Sequence, residues 1–359
     1  PAEYFEKNPA LYAVGKGGTR KITKETDVYH TMLCLSNPDV LVESVKSLKA
    51  AFAGQKKIAA VAKHGFGISP PDGAPYCYCK NCLEQSQNFN YPAYFLERMQ
   101  SEEFFGFAAK LAAEFPDKWV STMAYALRDM PPQGVKLPPN VAVMCAPITC
   151  DVLHANNDPR AWRRREFVSM LKQWRRLTPH VDIRDYNPGL LAGCFLPERD
   201  VANMTINVPM YKEIGIKGMG REGRKAFMQT WISYYVTAKL LWDSKADVAA
   251  IKRDFYDVFF GPEAGRHVQA WWDACEEALG RTTIQAHEDW LLNHIYTVEF
   301  TRRIHKHVEA ALRSKMTDEQ RKRTEAFALI ADHLEANAEM EEADQNMDYT
   351  RAAAAAGRM

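Results

Sequence analysis

The chain has 359 residues, 47% of them apolar and 25% charged, with a net charge of +1. That composition excludes a disordered chain, and no apolar run approaches the roughly 18 residues of a membrane-spanning helix. Acidic and basic residues are interspersed, which excludes the basic footprint of a nucleic-acid or anionic-membrane binder, and the length predicts one large barrel-type domain with an appendage.

The first residues read as a short helix, and LYAVGKGGTRKI then places two extended runs around Gly15-Lys16-Gly17-Gly18, a predicted hairpin. His30 to Leu35 is a short apolar strand. Ser36 or Asn37 caps the helix that follows, with Pro38 in its first turn. Lys57 to Ser69 carries the next strand, and after a cysteine-rich loop YPAYFLERMQSEEFFGFAAKLAAEF has helical spacing for about six turns. WVSTMAY and VAVMCA are buried-type strands, separated by LRDMPPQGVKLPPN, which is too rich in Pro and Gly for a full helix. A basic helix from about Arg160 to Leu177 precedes the strand VDIRDY, a helix ending near Glu213 and the strand GIKGM. After Arg224 only helices are expected. Strands alternating with helices predict a parallel sheet covered by helices, in a barrel or a doubly wound form. The strand candidates number about six, and a closed barrel needs eight. Pro1 follows no leader, so the chain is read as a fragment or as processed.

In parallel α/β folds reacting groups gather where strands end at their carboxyl side. The polar residues at those ends are Asp72, Tyr125, the stretch Cys145 to His154, then Asp185, Tyr186 and Asn187, and finally Arg221 and Glu222. Carboxylates, aromatic rings and an arginine facing one mouth make a sugar pocket with paired acids, which work at roughly 5 to 9 Å separation with one protonated and one ionised. Each residue also has a structural reading. Asp72 in PPDG suits a β-turn, Asp185 suits a salt bridge, Glu222 suits a helix start, and the tyrosines suit a core with a wet tip.

Cys77, Cys79 and Cys82 form CxCxxC, close enough to share one tetrahedral ion, with Cys145, Cys150, His154 or His64 as candidates for a fourth ligand. A disulfide to Cys145 or Cys150 and unpaired loop thiols are the alternatives. Eight cysteines are too few for a disulfide scaffold in a chain of this length. WRRREF and WRRL read as a solvated basic face, GKGG as a hairpin rather than a phosphate loop, and His287/His294 and His305/His307 lack metalloprotease spacing.

The order YFEKNPALYAV, LCLSNPDV, ISPPDG with CxCxxC, STMAYALRDMPP, NVAVMCAPITC, DIRDYN and LLWDSKADVAAIKRDFYDVFFGPEA resembles a family of domains of unknown function. That family looks like a relative of the α-glucuronidase and β-hexosaminidase barrels, and the similarity covers nearly the whole chain. It implies a (β/α)8 TIM-type barrel lacking its first strands over residues 1–243, an all-helical region over 244–359, and a secreted or periplasmic protein. His30 to Leu35 would be about the third strand, GIKGM the eighth, and Asp72 would end the fourth. The related hexosaminidases place an Asp-Glu pair there, whereas Gly73 follows here. The resulting expectation is a glycoside hydrolase acting on a carbohydrate, including one that bears uronic acid. Asp72 is the proton donor or a ligand of a substrate hydroxyl, Asp185 or Glu222 is the base, Tyr125, Tyr186, Asn187, Arg221 and His154 bind substrate, and no cofactor is required, a structural zinc at Cys77, Cys79 and Cys82 being one reading of the cysteine loop. The rival expectation is a non-catalytic carbohydrate-binding barrel.

Overall fold

Short apolar runs bounded by Gly, Pro and Asn become six strands in one sheet of order β1-β2-β3-β4-β5-β6. The structure is a computed structural model and describes residues 2–20, 22, 31–70, 77–86, 99–187, 196–222, 227–285 and 289–359. The strands are β1 Val61–Ala62, β2 Gly65–Ile68, β3 Trp119–Ala124, β4 Val141–Cys145, β5 Val181–Asp185 and β6 Met219–Arg221. β1 turns straight back onto β2, with Val61 opposite Phe66, so the single strand expected from Lys57 to Ser69 is a tight hairpin. β2 to β5 run parallel, pairing Phe66 with Val120, Val120 with Val141 and Val143 with Val181. Beside β5 the chain keeps that direction, because Lys217 N–H donates to the Val181 carbonyl at 2.9 Å and Ile183 N–H to that of Gly218 at 3.0 Å. GIKGM therefore joins the sheet, although the regular strand starts only at Met219. The expected α/β class holds; among the described residues the sheet is open, with β1 and β6 at its edges.

Packing divides the chain into two units. The first comprises Pro1–Ile148, Ser169–Arg184 and Gly215–Gly218, and the second Thr149–Val168, Asp185–Ile214 and Met219–Met359. In the first unit lie α1 Ala2–Lys7, α2 Pro38–Phe52, α3 Lys80–Gln85 and α4 Ser101–Ala113. α2 starts as its residues dictate: Asn37 Oδ1 accepts the Asp39 N–H at 3.0 Å, and Pro38 fills the first turn where no donor is needed. α4 buries Phe104, Phe105, Ala108, Leu111 and Ala112, the stripe its helical spacing predicts. The upstream part of that predicted helix, 91–98, lies outside the described residues. Asn140 donates its amide to the carbonyls of Ala112, Phe115 and Lys118 at 2.9 to 3.1 Å, which satisfies the carbonyls that the end of α4 leaves over. Gly65 is obligatory in the hairpin, since a Cβ there would lie 2.3 Å from the Trp119 carbonyl oxygen across the sheet.

The helix α5, Trp162–Leu177, leads into β5, and α6 Asp200–Ile214 follows it. From Phe227 onward the described chain is helical, as its periodicity predicts: α7 Phe227–Trp242, α8 Val248–Phe260, α9 Pro262–Arg281, α10 Val298–Arg313, α11 Asp318–Gln345 and α12 Tyr349–Ala356, with a short 3-10 stretch at Asp289–His294. Asp247, Thr297 and Asp348 cap helix starts, and Thr317 with Gln320 closes a reciprocal capping box. Trp271, Phe260 and Phe327 meet in the core of this unit, with Phe327 5.2 Å from Trp271 and 6.3 Å from Phe260 between ring centroids. α8 and α9 can cross closely because Gly265 has no Cβ; one would lie 2.5 Å from the Tyr256 carbonyl oxygen.

Glu276 of α9 is half-buried as a residue, yet its carboxyl is densely surrounded and accepts the Ala202 N–H of α6 at 3.1 Å. Burial pushes it up to about 7, against the opposing pull of that N–H and of Lys252. A folded-state value above the unfolded one makes its stabilising contribution complete below the ordinary glutamate range and lost as pH rises through about 7. The melting temperature should therefore fall between about pH 5 and pH 8, and Glu276→Gln should flatten that slope. An unchanged slope in the variant would show that another group titrates.

Candidate functional site

β5 buries Val181, Ile183 and Asp185 in alternation, so the strand pleat carries Asp185 to the same face as two apolar residues. A carboxylate so enclosed needs a cation, and Arg221, the last residue of β6, supplies it. Arg221 Nη2 lies 3.2 Å from Asp185 Oδ2 and 2.5 Å from Asp200 Oδ1, while Nη1 donates at 2.9 Å to both Asp200 Oδ2 and Thr237 Oγ1. Asp200 opens α6, where the helix dipole favours an acid, and it takes the bidentate fork of the guanidinium. Asp185 has the single, longer contact, supplemented by the Tyr186 N–H at 3.0 Å. Burial raises the Asp185 pKa above the ordinary aspartate value, although Arg221 and then Arg164 draw it down. Burial likewise opposes the charge on Arg221, but Asp200 and Asp185 outweigh it and hold the guanidinium protonated.

The neighbouring strand end carries Glu222, whose N–H donates to the Asp185 carbonyl at 2.9 Å and whose side chain is exposed. Two acids thus leave adjacent strands in opposite environments. Tyr186 and Asn187 are both buried, and Asn187 Oδ1 has no hydrogen-bond partner among the described residues.

Three predicted residues remain. Asp72 falls outside the described residues. Tyr125 closes β3 in the first unit, half-buried, ahead of a 3-10 turn in which Ala126 takes a φ of 51°. His154 is fully buried in the second unit, with Nδ1 2.5 Å from Asp151 Oδ2 and Nε2 3.0 Å from the Thr282 carbonyl. A carbonyl only accepts and a carboxylate prefers to, so both ring nitrogens carry protons. Burial works against that charge, and the hydrogen bond that His154 donates to Asp151 overcomes it, leaving the His154 pKa raised.

Sequence reasoning missed Asp200, which only its place at a helix start marks, and Arg164. The expected solvated face of WRRREF is corrected here: Arg163 and Arg164 are buried, and Arg164 Nε donates to the Asp151 carbonyl at 2.5 Å. Charge content alone gave no sign of this, because the apolar stripe of α5 does not distinguish an inward arginine from an outward one.

Cys77, Cys79 and Cys82 do come together, and the fourth sulfur beside them is that of Cys34 rather than any of the expected candidates. The expected disulfide to Cys145 or Cys150 is absent, since both are free thiols.

Fold and site define an α/β protein with a buried ion cluster at the carboxyl ends of its last two strands. The chain belongs to the family described as Domain of unknown function (DUF4838), which matches residues 1–273, in keeping with the resemblance of its motifs. Among solved structures, a mutant of the Thermobaculum terrenum O-GlcNAc hydrolase aligns with a TM-score of 0.46 and 11% sequence identity, over 90% of this chain and 70% of that one. No curated protein matches the chain.

The cluster predicts an asymmetry between two substitutions. Arg221→Met leaves two buried carboxylates without their cation and should cost about 3 to 5 kcal/mol in urea unfolding. Asp185→Asn leaves the Arg221–Asp200 pair intact and should cost no more than about 1 kcal/mol near neutral pH. Because the folded-state pKa of Asp185 is raised, the wild type should gain on the Asn variant as pH falls toward the ordinary aspartate range. Equal losses for the two variants would contradict the shared-cation arrangement.

Proposed function

We propose that this chain acts on a carbohydrate as a glycosidase-type hydrolase, its sheet forming part of a (β/α)8 barrel and its chemistry resting on carboxyl groups at strand ends. The observation that carries this reading is the contrast between Asp185 and Glu222. One acid is buried with a raised proton affinity, the other is exposed, and a 2.9 Å backbone hydrogen bond ties their strand ends together. Glycosidic cleavage calls for acids held in such opposite environments. Glu222, being exposed, is the better base or nucleophile of the two. Asp185 is enclosed and acts as a positioning residue that sets the strand end from which Glu222 projects. Asp72 remains the proton-donor candidate on its place after β2 in the sequence. Arg221 is committed to Asp185, Asp200 and Thr237, so it offers no fork to a uronate, and the reading carries no preference for that sugar class.

A second reading has an observation of its own. The same commitment of Arg221 and Asp185 is what a purely structural ion cluster requires, which favours a carbohydrate-binding barrel without turnover.

A reducing-end screen against amino-sugar and uronic-acid oligosaccharides tests both. On a cleaved substrate, Glu222→Gln should lower kcat by about 10² to 10⁴ with binding retained, and Asp72→Asn should fall comparably. Binding by calorimetry without release of reducing ends would favour the second reading, and neither binding nor release would remove both.

A further inference from the structure

Four cysteine sulfurs, from two segments distant in sequence, converge in the first unit. Cys77 lies in the loop after β2, Cys79 is the N-cap residue of α3, and Cys82 sits in the first turn of that helix, three positions on, so the last two share a helix face. Cys34 comes from the N-terminal ladder, where its N–H donates to the Leu11 carbonyl at 2.8 Å and the preceding Leu33 bridges Tyr12. Every pair of the four sulfurs lies within 4.8 Å.

We propose that Cys34, Cys77, Cys79 and Cys82 hold one zinc ion in a closed, tetrahedral, four-thiolate site that clamps the loop after β2 to the N-terminal ladder.

The distances carry this. A tetrahedron whose zinc–sulfur bonds are about 2.3 Å has sulfur–sulfur edges of about 3.8 Å. Cys34 Sγ stands 3.7 Å from Cys79 Sγ and 3.9 Å from Cys82 Sγ. Disulfide bonding does not account for the group, because all four are free and the separations are far above the roughly 2.05 Å of a sulfur–sulfur bond. Two metals bridged in a cluster would spread the ligands further apart than the 4.8 Å limit on every pair. Ordinary core packing is a poor account as well: among the described residues the small apolar cluster here consists of Val14, Cys34, Cys77 and Cys82, with Ala13 and Cys79 against it, so sulfur faces sulfur where alkyl groups would otherwise fill the space.

An outer layer of donors is also present. Ser36 Oγ lies 3.1 Å from Cys82 Sγ, 3.4 Å from Cys34 Sγ and 3.5 Å from Cys79 Sγ, and the Val14 N–H donates to Cys77 Sγ at 3.4 Å. With thiols Cys82 donates to the Ser36 oxygen, and once the sulfurs are thiolates the hydroxyl can turn to donate to them, so that it and the Val14 amide would spread the charge of a metal thiolate set and fix its geometry. Four soft ligands select zinc over magnesium or calcium, and four thiolates fill a tetrahedral coordination sphere, which makes the ion structural rather than catalytic; three of the four cysteines are buried. Binding displaces the thiol protons onto solvent as the thiolates form, so occupancy falls in acid.

The test uses the whole chain, expressed with zinc in the medium and purified without chelator. Elemental mass spectrometry should find about one zinc per chain, released by a mercurial reagent as about four thiols are titrated. Cys34→Ser and Cys82→Ser should each lower the zinc content at least about tenfold, while Cys275→Ser, a thiol of α9 outside the group, should leave it unchanged. If the serine variants fail to fold, cobalt(II) loaded into the wild-type chain should give the intense visible bands and sulfur charge-transfer absorption of a tetrahedral thiolate site. Metal-free protein whose thiols all titrate freely, or zinc that survives Cys34→Ser, would overturn the proposal.

Discussion

One guanidinium shared by two buried carboxylates fixes the end of this sheet. Arg221 closes β6, Asp185 closes β5 and Asp200 opens α6, so a single side chain ties two strands and a helix at the edge where their following loops begin. The sharing is unequal. Asp200 has two contacts of 2.5 and 2.9 Å and Asp185 one of 3.2 Å, which leaves Asp185 short of the compensation that a buried negative charge needs. Burial raises the proton affinity of Asp185, and its single contact with Arg221 does not cancel that effect; Glu222, one position beyond β6, is exposed while its N–H stays bonded to the Asp185 carbonyl.

From this constraint the functional reading acquires its roles. An acid that is enclosed cannot meet a sugar ring, but it can set the direction in which its neighbour points. A substrate-facing acid must be exposed, and its geometry must come from something rigid. The cysteine group plays a parallel part in the first unit. There Cys77, Cys79 and Cys82, which follow β2 in the sequence, meet Cys34 of the N-terminal ladder.

Much of this was legible in the sequence, and the reasons are local. The helix start at Asn37 with Pro38 was visible because the capped amide is only two residues away. The places of Asp185, Asn187 and Arg221 at strand ends followed from the short runs VDIRDY and GIKGM that precede or contain them. What failed depended on contacts between distant segments. The hairpin within Lys57 to Ser69 hinges on Gly65 passing the Trp119 carbonyl, which no local pattern announces. Arg164 was read outward because charge is normally solvated, yet its partner is a backbone carbonyl at Asp151. Cys34 was overlooked as the fourth sulfur because its separation from CxCxxC matches no local ligand spacing. Arg221 was assigned to a substrate carboxylate, and nothing in GMGREG revealed that Asp200 would occupy its fork.

The shared cation is tested most directly by an NMR titration of the aspartate side-chain carboxyls, with Asp185→Asn used to assign the signal. The account predicts that Asp185 titrates above the ordinary aspartate range while the chain remains folded. A midpoint at or below that range would mean that Arg221 compensates both carboxylates fully, and the division of roles between Asp185 and Glu222 would fall with it.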